Sequence, residues 1–321
     1  MTGLVDTALD RSVIGGYSRL GFGLRARGWD ADDPAVGSLA NRTVAVTGGT
    51  SGIGAATAGR IAALGGHPIL IGRSQDKADA VRAEIIHRHP SATVRVELCD
   101  ISDLDQVRGL ATRLAAAGVD IIIHNAGVMP PQRTESAQGH ELSLAAHVLG
   151  PILLTELLEP TLTDSPDARV IFMSSGGMYT AELPVDDLEY RAGDYRGARA
   201  YARSKRVQTA LLPILADRWQ AAGVLVAGMH PGWVDTPGVA DSLPGFKKVA
   251  APLLRSADQG ADTAVWLAAT RPRPNTGLFW HDREPRPEHY LPRTRFSEHD
   301  RRLIWEQVRK AAALDANGAE R

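Results

Sequence analysis

A tyrosine and a lysine four residues apart, in Tyr201-Ala202-Arg203-Ser204-Lys205, form the pair in this chain with the most chemistry in it. On a helix that spacing puts both side chains on one face. A free phenol, with a pKa of about 10, is a poor base near neutrality. A neighbouring ammonium favours the phenolate, and lowering the pKa by about 3 requires roughly 4 kcal/mol of differential stabilisation. The expected product is a tyrosine able to give or take a proton at working pH.

A second constellation suits a dinucleotide. Thr47-Gly48-Gly49-Thr50-Ser51-Gly52-Ile53-Gly54 follows the apolar run Thr43–Val46 and opens a helical pattern. Glycine permits the tight turn and the close approach of a pyrophosphate, and a helix N-terminus offers N–H groups to the phosphates. Gly48, Thr50, Ser51, Gly52, Ile53 and Gly54 are therefore expected to hold cofactor. Arg73 stands after the second strand, where NAD-binding domains usually carry an acidic residue; a guanidinium there suits a 2′-phosphate. NADP(H) is accordingly favoured over NAD(H), the alternative being that Arg73 stacks on adenine and admits both. Asp100, with Ile101 beside it, ends the third strand, where it can accept from the adenine amino group or cap the next helix.

These residues need elements to hold them. Apolar runs at 43–46, 68–71, 94–98, 120–123, 169–173, 224–228 and 277–280 alternate with helical patterns at about 55–64, 75–88, 103–117, 140–158 and 198–221. Strands separated by helices mean βαβ units and a parallel sheet. The fold class is therefore α/β: a single doubly wound Rossmann domain of about seven parallel strands with helices on both faces. It is expected over 41–295, after an amphipathic helical extension (1–40) and before a helical tail (296–321) in which Ser297 and Asp300 read as a capping box. Two stretches, about 178–198 and 236–258, interrupt the alternation after strand ends, where open sheets bind ligands.

Bulk properties narrow the partners. The 321 residues are 44% hydrophobic and 23% charged, with a net charge of -1, so nothing marks a nucleic-acid binder. The one cysteine, Cys99, cannot form an internal disulfide, which fits a reducing, cytoplasmic setting. The stripe Leu4, Leu9, Val13, Tyr17, Leu20, Leu24, with arginines among it, either packs on the protein's own body or makes a peripheral membrane contact over residues 4–27. His87-Arg88-His89 lacks further ligands at a recognisable spacing, so no metal is expected.

Taken in order, the glycine turn, Asp100, His124-Asn125-Ala126-Gly127, Ser174-Ser175, Tyr201 to Lys205 and His230-Pro231-Gly232-Trp233-Val234-Asp235-Thr236 resemble the short-chain dehydrogenase/reductase family. Gly176-Gly177-Met178 in the long Ser-to-Tyr interval looks like its retinol-dehydrogenase-like branch, and Met229–Val239 is similar to the member-12 type. The resemblance implies an oxidoreductase with Tyr201 as general acid/base, Lys205 as its helper on the nicotinamide ribose, and Ser175 on the substrate oxygen. It places Asn125, Ala126 and Gly127 at the adenosine side, and Pro231, Gly232, Val234 and Thr236 over the nicotinamide. A small carbonyl or alcohol substrate and a homo-oligomer follow by analogy. Met178, Trp233 and Phe246 fall in segments expected to border an apolar substrate. Two positions depart from the family pattern. His124 replaces an asparagine, which reads as a structural change. His147 stands where the family places a fourth catalytic asparagine, and either enters the proton relay or merely fills the kink in its helix. That substitution motivates the alternative of a weakly catalytic, NADP(H)-binding regulator.

Overall fold

Runs such as Val44-Ala45-Val46 and Ile121-Ile122-Ile123 can be buried only in a sheet covered on both faces. The computed structural model, which describes residues 3–235 and 250–314, has that sheet. Its strands are β1 (Thr43–Thr47), β2 (His67–Gly72), β3 (Arg95–Leu98), β4 (Ile121–His124), β5 (Arg169–Met173), β6 (Leu225–Met229), β7 (Leu278–His281) and β8 (Glu284–Pro285). Their order is β3-β2-β1-β4-β5-β6-β7-β8, parallel except for the antiparallel β7–β8 pair. The seven expected strands are all present; the two-residue β8 is an addition too short to show a pattern.

Alternation within each strand divides the core. Ala45, Ile122, Val170 and Phe172 enter the larger apolar layer, whereas Val44, Val46, Ile121, Ile123, Ile171 and Met173 enter the opposite one. The helices in chain order are α1 (Gly3–Arg11), α2 (Val13–Tyr17), α3 (Arg19–Ala26), α4 (Gly52–Ala63), α5 (Gln75–Arg88), α6 (Leu104–Ala117), α7 (Leu142–Leu144), α8 (Gly150–Leu157), α9 (Glu159–Thr163), α10 (Gly197–Ala210), α11 (Leu212–Arg218), α12 (Ala257–Ala269) and α13 (Glu298–Ala311). Strand order reverses between β3 and β4, so the carboxyl ends of β1 and β4 flank the crevice where such sheets take ligands.

Three elements differ from the sequence expectation. The helix expected over 140–158 contains a π turn, Ala145–Leu149, between α7 and α8. Gly150 there passes so close to the Ile101 carbonyl that a Cβ would overlap it. The helix expected over 198–221 divides into α10 and α11, with Pro213, which lacks an N–H, at the start of the second. Helix α12 was not expected: its many small residues pack on α4 but give little hydrophobic periodicity. It begins in a capping box between Ser256 and Gln259.

The N-terminal stripe splits. Tyr17 is 3% exposed, whereas Leu20 (60%) and Leu24 (46%) face outward. Arg25 ties the segment down through Asp6 at 2.7 Å and Asp282 at 2.7 Å. No described helix is long and apolar enough to cross a membrane.

Candidate functional site

The glycine turn joins β1 to α4 at the crevice. Gly48 has φ +66°, and a Cβ on Gly54 would overlap the Gly48 carbonyl, so helix and strand approach as only glycine allows. Asn125 fixes the floor: its side-chain amide donates to the Thr47 carbonyl at 2.8 Å and the Gly48 carbonyl at 3.3 Å. The Thr47 hydroxyl accepts from the Asn125 and Ala126 amides, both at 3.0 Å, which locks the β1 and β4 tips together. Ser51 at the N-cap of α4 makes no side-chain capping bond, so the first N–H groups of that helix stay free for an anion.

A cavity of about 460 Å³ opens from this turn. Gly48, Thr50, Ser51, Arg73, Asp100, Ile101, Ala126 and Gly127 all line it. Arg73 is 73% exposed on its side chain and stands 3.5 Å from Asp100. Asp100 does not cap α6; Asp103 does, accepting from the Asp105 and Gln106 amides. Instead Asp100 accepts from the Ser102 amide at 3.0 Å and hydroxyl at 2.7 Å. Sequence reasoning passed over two further lining residues, Ser74 and Lys77. Ser74 caps α5 by accepting from the Lys77 amide. A lysine in a first helical turn opposes the helix dipole, and that was the signal available. Cys99 is buried, with its thiol pushed up to about 12 by desolvation, and behaves as core.

At the other end, α10 brings Tyr201 and Lys205 beneath the β5 tip. The Ser175 hydroxyl is the side chain that acts on the Tyr201 phenol, opposing the effect of burial on its pKa. Ser175 also caps the short 3-10 turn Gly176–Thr180, accepting from Gly177 N–H at 3.1 Å. Lys205 is 2% exposed; its ammonium donates to the Met173 carbonyl at 2.7 Å and lies 3.5 Å from the Gln208 amide oxygen. Burial pulls its pKa down to about 7. The expectation that this ammonium lowers the phenol's pKa is not met. Burial raises the Tyr201 pKa, and the opposing influence is the Ser175 hydroxyl. The reason is geometric: the Lys205 nitrogen sits 5.7 Å from the phenol ring centre and is aimed at the β5 carbonyl.

His147 is neutral, held well below its usual pKa first by burial and then by the Lys205 charge. Its Nε2 accepts from Val128 N–H at 2.9 Å, so its Nδ1 carries the proton and donates to Ser204 Oγ at 2.7 Å. Ser204 in turn donates to the Tyr201 carbonyl at 2.9 Å. Both ring nitrogens have protein partners, Val128 N–H and Ser204 Oγ, which favours the reading in which His147 fills the kink. The ring packs edge-on against Tyr201 at 5.1 Å. His124 is likewise structural, stacked on Phe172 and bonded to the Thr155 hydroxyl at 2.8 Å.

The loop after β6 carries Pro231, Gly232, Trp233 and Val234. Gly232 has φ +77°, the Pro231 carbonyl accepts from Arg255 at 3.2 Å, and Val234 is buried against Gly260. Trp233 is half-buried. Met178, expected at the substrate wall, is wholly buried in the apolar core because the 3-10 turn directs it inward, so it presents no surface to a substrate. Gly52 (φ +51°) and Ile53 shape the first turn of α4 and do not line the cavity. Thr236 and Phe246 lie outside the described residues.

A glycine turn at the β1 tip and a Ser–Tyr–Lys cluster at the β5 tip of one parallel sheet are those of a nicotinamide-dependent oxidoreductase, and the chain belongs to the short-chain dehydrogenase/reductase family. The family model described as short chain dehydrogenase matches residues 42–187. The chain is 38% identical over 287 residues to dehydrogenase/reductase SDR family member 12 of Bos taurus, covering 88% of each. It is 30% identical over 300 residues to retinol dehydrogenase 13 of Mus musculus, covering 89% of this chain and 88% of that one. Among solved structures, an uncharacterized protein from Mycobacterium paratuberculosis superposes with a TM-score of 0.71 at 27% identity, over 89% of this chain and 98% of the other. The chain is therefore a dehydrogenase/reductase acting on carbonyl or alcohol groups of small molecules.

Proposed function

We propose that this protein is an NADP(H)-dependent reductase or dehydrogenase of moderately apolar carbonyl or alcohol substrates, with Tyr201 as general acid/base. The observation that carries the reading is the grouping of Ser175, Tyr201 and Lys205 at the β5 tip, with the Lys205 ammonium on the Met173 carbonyl and 5.7 Å from the Tyr201 ring centre. The crevice fits the cofactor. Gly48 and the start of α4 form a cradle for a pyrophosphate, and Arg73, Lys77 and Ser74 gather two cations and a hydroxyl for a 2′-phosphate. Bound there, the nicotinamide supplies or accepts the hydride.

The chain's own residues handle the proton. Ser175 donates to the substrate oxygen and strengthens that bond as negative charge builds. Tyr201, kept protonated by burial, gives its proton to the same oxygen in the reductive direction. Lys205, titrating near neutrality, sits behind the phenol as the next group able to supply one. His147 is a positioning residue: through Ser204 it fixes the backbone of Tyr201.

The test is a cofactor titration followed by turnover over a panel of ketones and aldehydes. The expected result is NADPH consumption that Tyr201→Phe reduces by about a thousandfold or more while leaving NADPH affinity within about threefold. Binding without consumption across the panel would refute the proposal in favour of a cofactor-binding regulator.

A further inference from the structure

The N-terminal helices reach the loops after β5 and β6. Tyr17 sits where the chain leaves α2, with its ring edge-on to Trp233 at 6.3 Å and to His230 at 4.5 Å. Its carbonyl accepts from Trp233 N–H at 2.8 Å and from Arg255 Nε at 3.0 Å. On its other side the ring lies against Gly176, the residue after Ser175: a Cβ there would stand 2.5 Å from a Tyr17 ring carbon. One side chain therefore spans the loops after β5 and β6. The anchorage is ionic and buried. Asp282 joins Arg25 of α3 at 2.7 Å to Arg255 at 2.6 Å, and Arg255 also donates to the Gly16 carbonyl at 2.8 Å.

We infer that residues 3–26 are a fixed part of the substrate-side wall, and that Tyr17 is a positioning residue holding the Trp233 loop at a set distance from Ser175 and Gly176. The ring fills the space between the two loops, so it sets the width available to the apolar part of a carbonyl substrate. Removing it leaves a void of aromatic size beside the strand tip, into which Trp233 can move. Substrates with bulky ring systems lose their orienting surface, whereas small ketones, which need less of it, are affected less. The inference rests on the assignment of Ser175 and Tyr201 to the reacting oxygen.

The experiment compares Tyr17→Phe, Tyr17→Ala, Gly176→Ala and the Tyr17→Ala/Gly176→Ala double variant. It measures NADPH affinity, kcat and KM for an aryl ketone and for a small aliphatic ketone, and hydrogen exchange at the Trp233 and Asp235 amides. Tyr17→Phe keeps the ring and is expected to match the parent. Tyr17→Ala is expected to raise KM for the aryl ketone about tenfold with NADPH affinity unchanged, and to speed exchange at Trp233. Gly176→Ala displaces the ring and gives a similar defect, and the double variant is less impaired than the sum, because the void admits the new methyl. Unchanged KM and exchange in Tyr17→Ala, or a parallel loss of NADPH affinity, overturns the inference. No parent turnover on any ketone would instead overturn the reductase assignment, and the exchange rates and the double variant's stability would then decide the role of Tyr17 alone.

Discussion

Replacing Lys205 with methionine should abolish turnover and make the protein more stable, by an amount that depends on pH. The ammonium is buried, and its pKa falls from 10.5 in the unfolded chain to about 7 in the folded one. Between those values the unfolded state binds more protons, so the parent gains stability as pH rises; the burden is full below the folded value and vanishes above the unfolded one. Linkage gives a cost of about 5 kcal/mol at pH 6 and about 2 kcal/mol at pH 9. Lys205→Met removes this cost at both pH values but leaves the Met173 carbonyl without its partner, which costs about 1–3 kcal/mol independently of pH. For a chain of 321 residues, the unfolding entropy of about 0.7 kcal/mol/K makes 1 kcal/mol worth about 1.5 °C. The variant should melt about 3–6 °C above the parent at pH 6 and close to it at pH 9. Thermal unfolding of both proteins at the two pH values, followed by circular dichroism, measures the gap. A gap that does not shrink by about 4 °C between pH 6 and pH 9 would refute a buried, depressed lysine.

Arg73→Ala should weaken NADPH binding by tenfold or more, about 1.4 kcal/mol, while NADH binding stays within about twofold; equal losses for both would remove Arg73 from the 2′-phosphate. His147→Ala should leave the shape of the pH–rate profile around neutrality intact, because burial holds the ring's pKa well below its usual value, while costing about 1–3 kcal/mol in urea unfolding for the orphaned Val128 amide. A lost or shifted profile limb would restore the relay. Asp282→Asn should cost about 3–5 kcal/mol, because Arg25 and Arg255 lose their shared buried carboxylate, and should expose residues 3–26 to protease first. Burial alone would raise the Asp282 carboxyl, but His281, Arg255 and Arg25 together hold it well below the usual range. Its contribution is therefore complete above the ordinary carboxylate range and is lost only as pH falls through the folded value.

Legibility followed locality. The glycine turn, Arg73 and the Tyr201–Lys205 pair could be read because each lies within one turn or one helical face, where spacing alone determines geometry. The strands were legible because a sheet buried on both faces leaves unbroken apolar runs. What escaped depends on contacts between distant segments. Whether Lys205 acidifies Tyr201 depends on where its nitrogen points, and the Met173 carbonyl, 32 positions away, decides that. The position of His147 left relay and kink-filling both open, and what favours the second, its bonds to the Val128 amide and the Ser204 hydroxyl, cannot be read from spacing. Met178 carries no mark of which way a 3-10 turn will direct it, and α12 lacks an apolar stripe because its neighbour α4 is equally small-sided. Tyr17 looked like one member of a stripe, though it serves a different surface from Leu20 and Leu24.

The contact between Arg25 and Asp282 joins positions 257 apart in the chain. On the ribosome the first three helices emerge long before their anchor is made, so they wait undocked while the sheet is laid down strand by strand. The β7–β8 corner, made after all of them, provides their landing place. Seating of these helices is thereby tied to the presence of Asp282: a chain that stops before it lacks the latch that holds them.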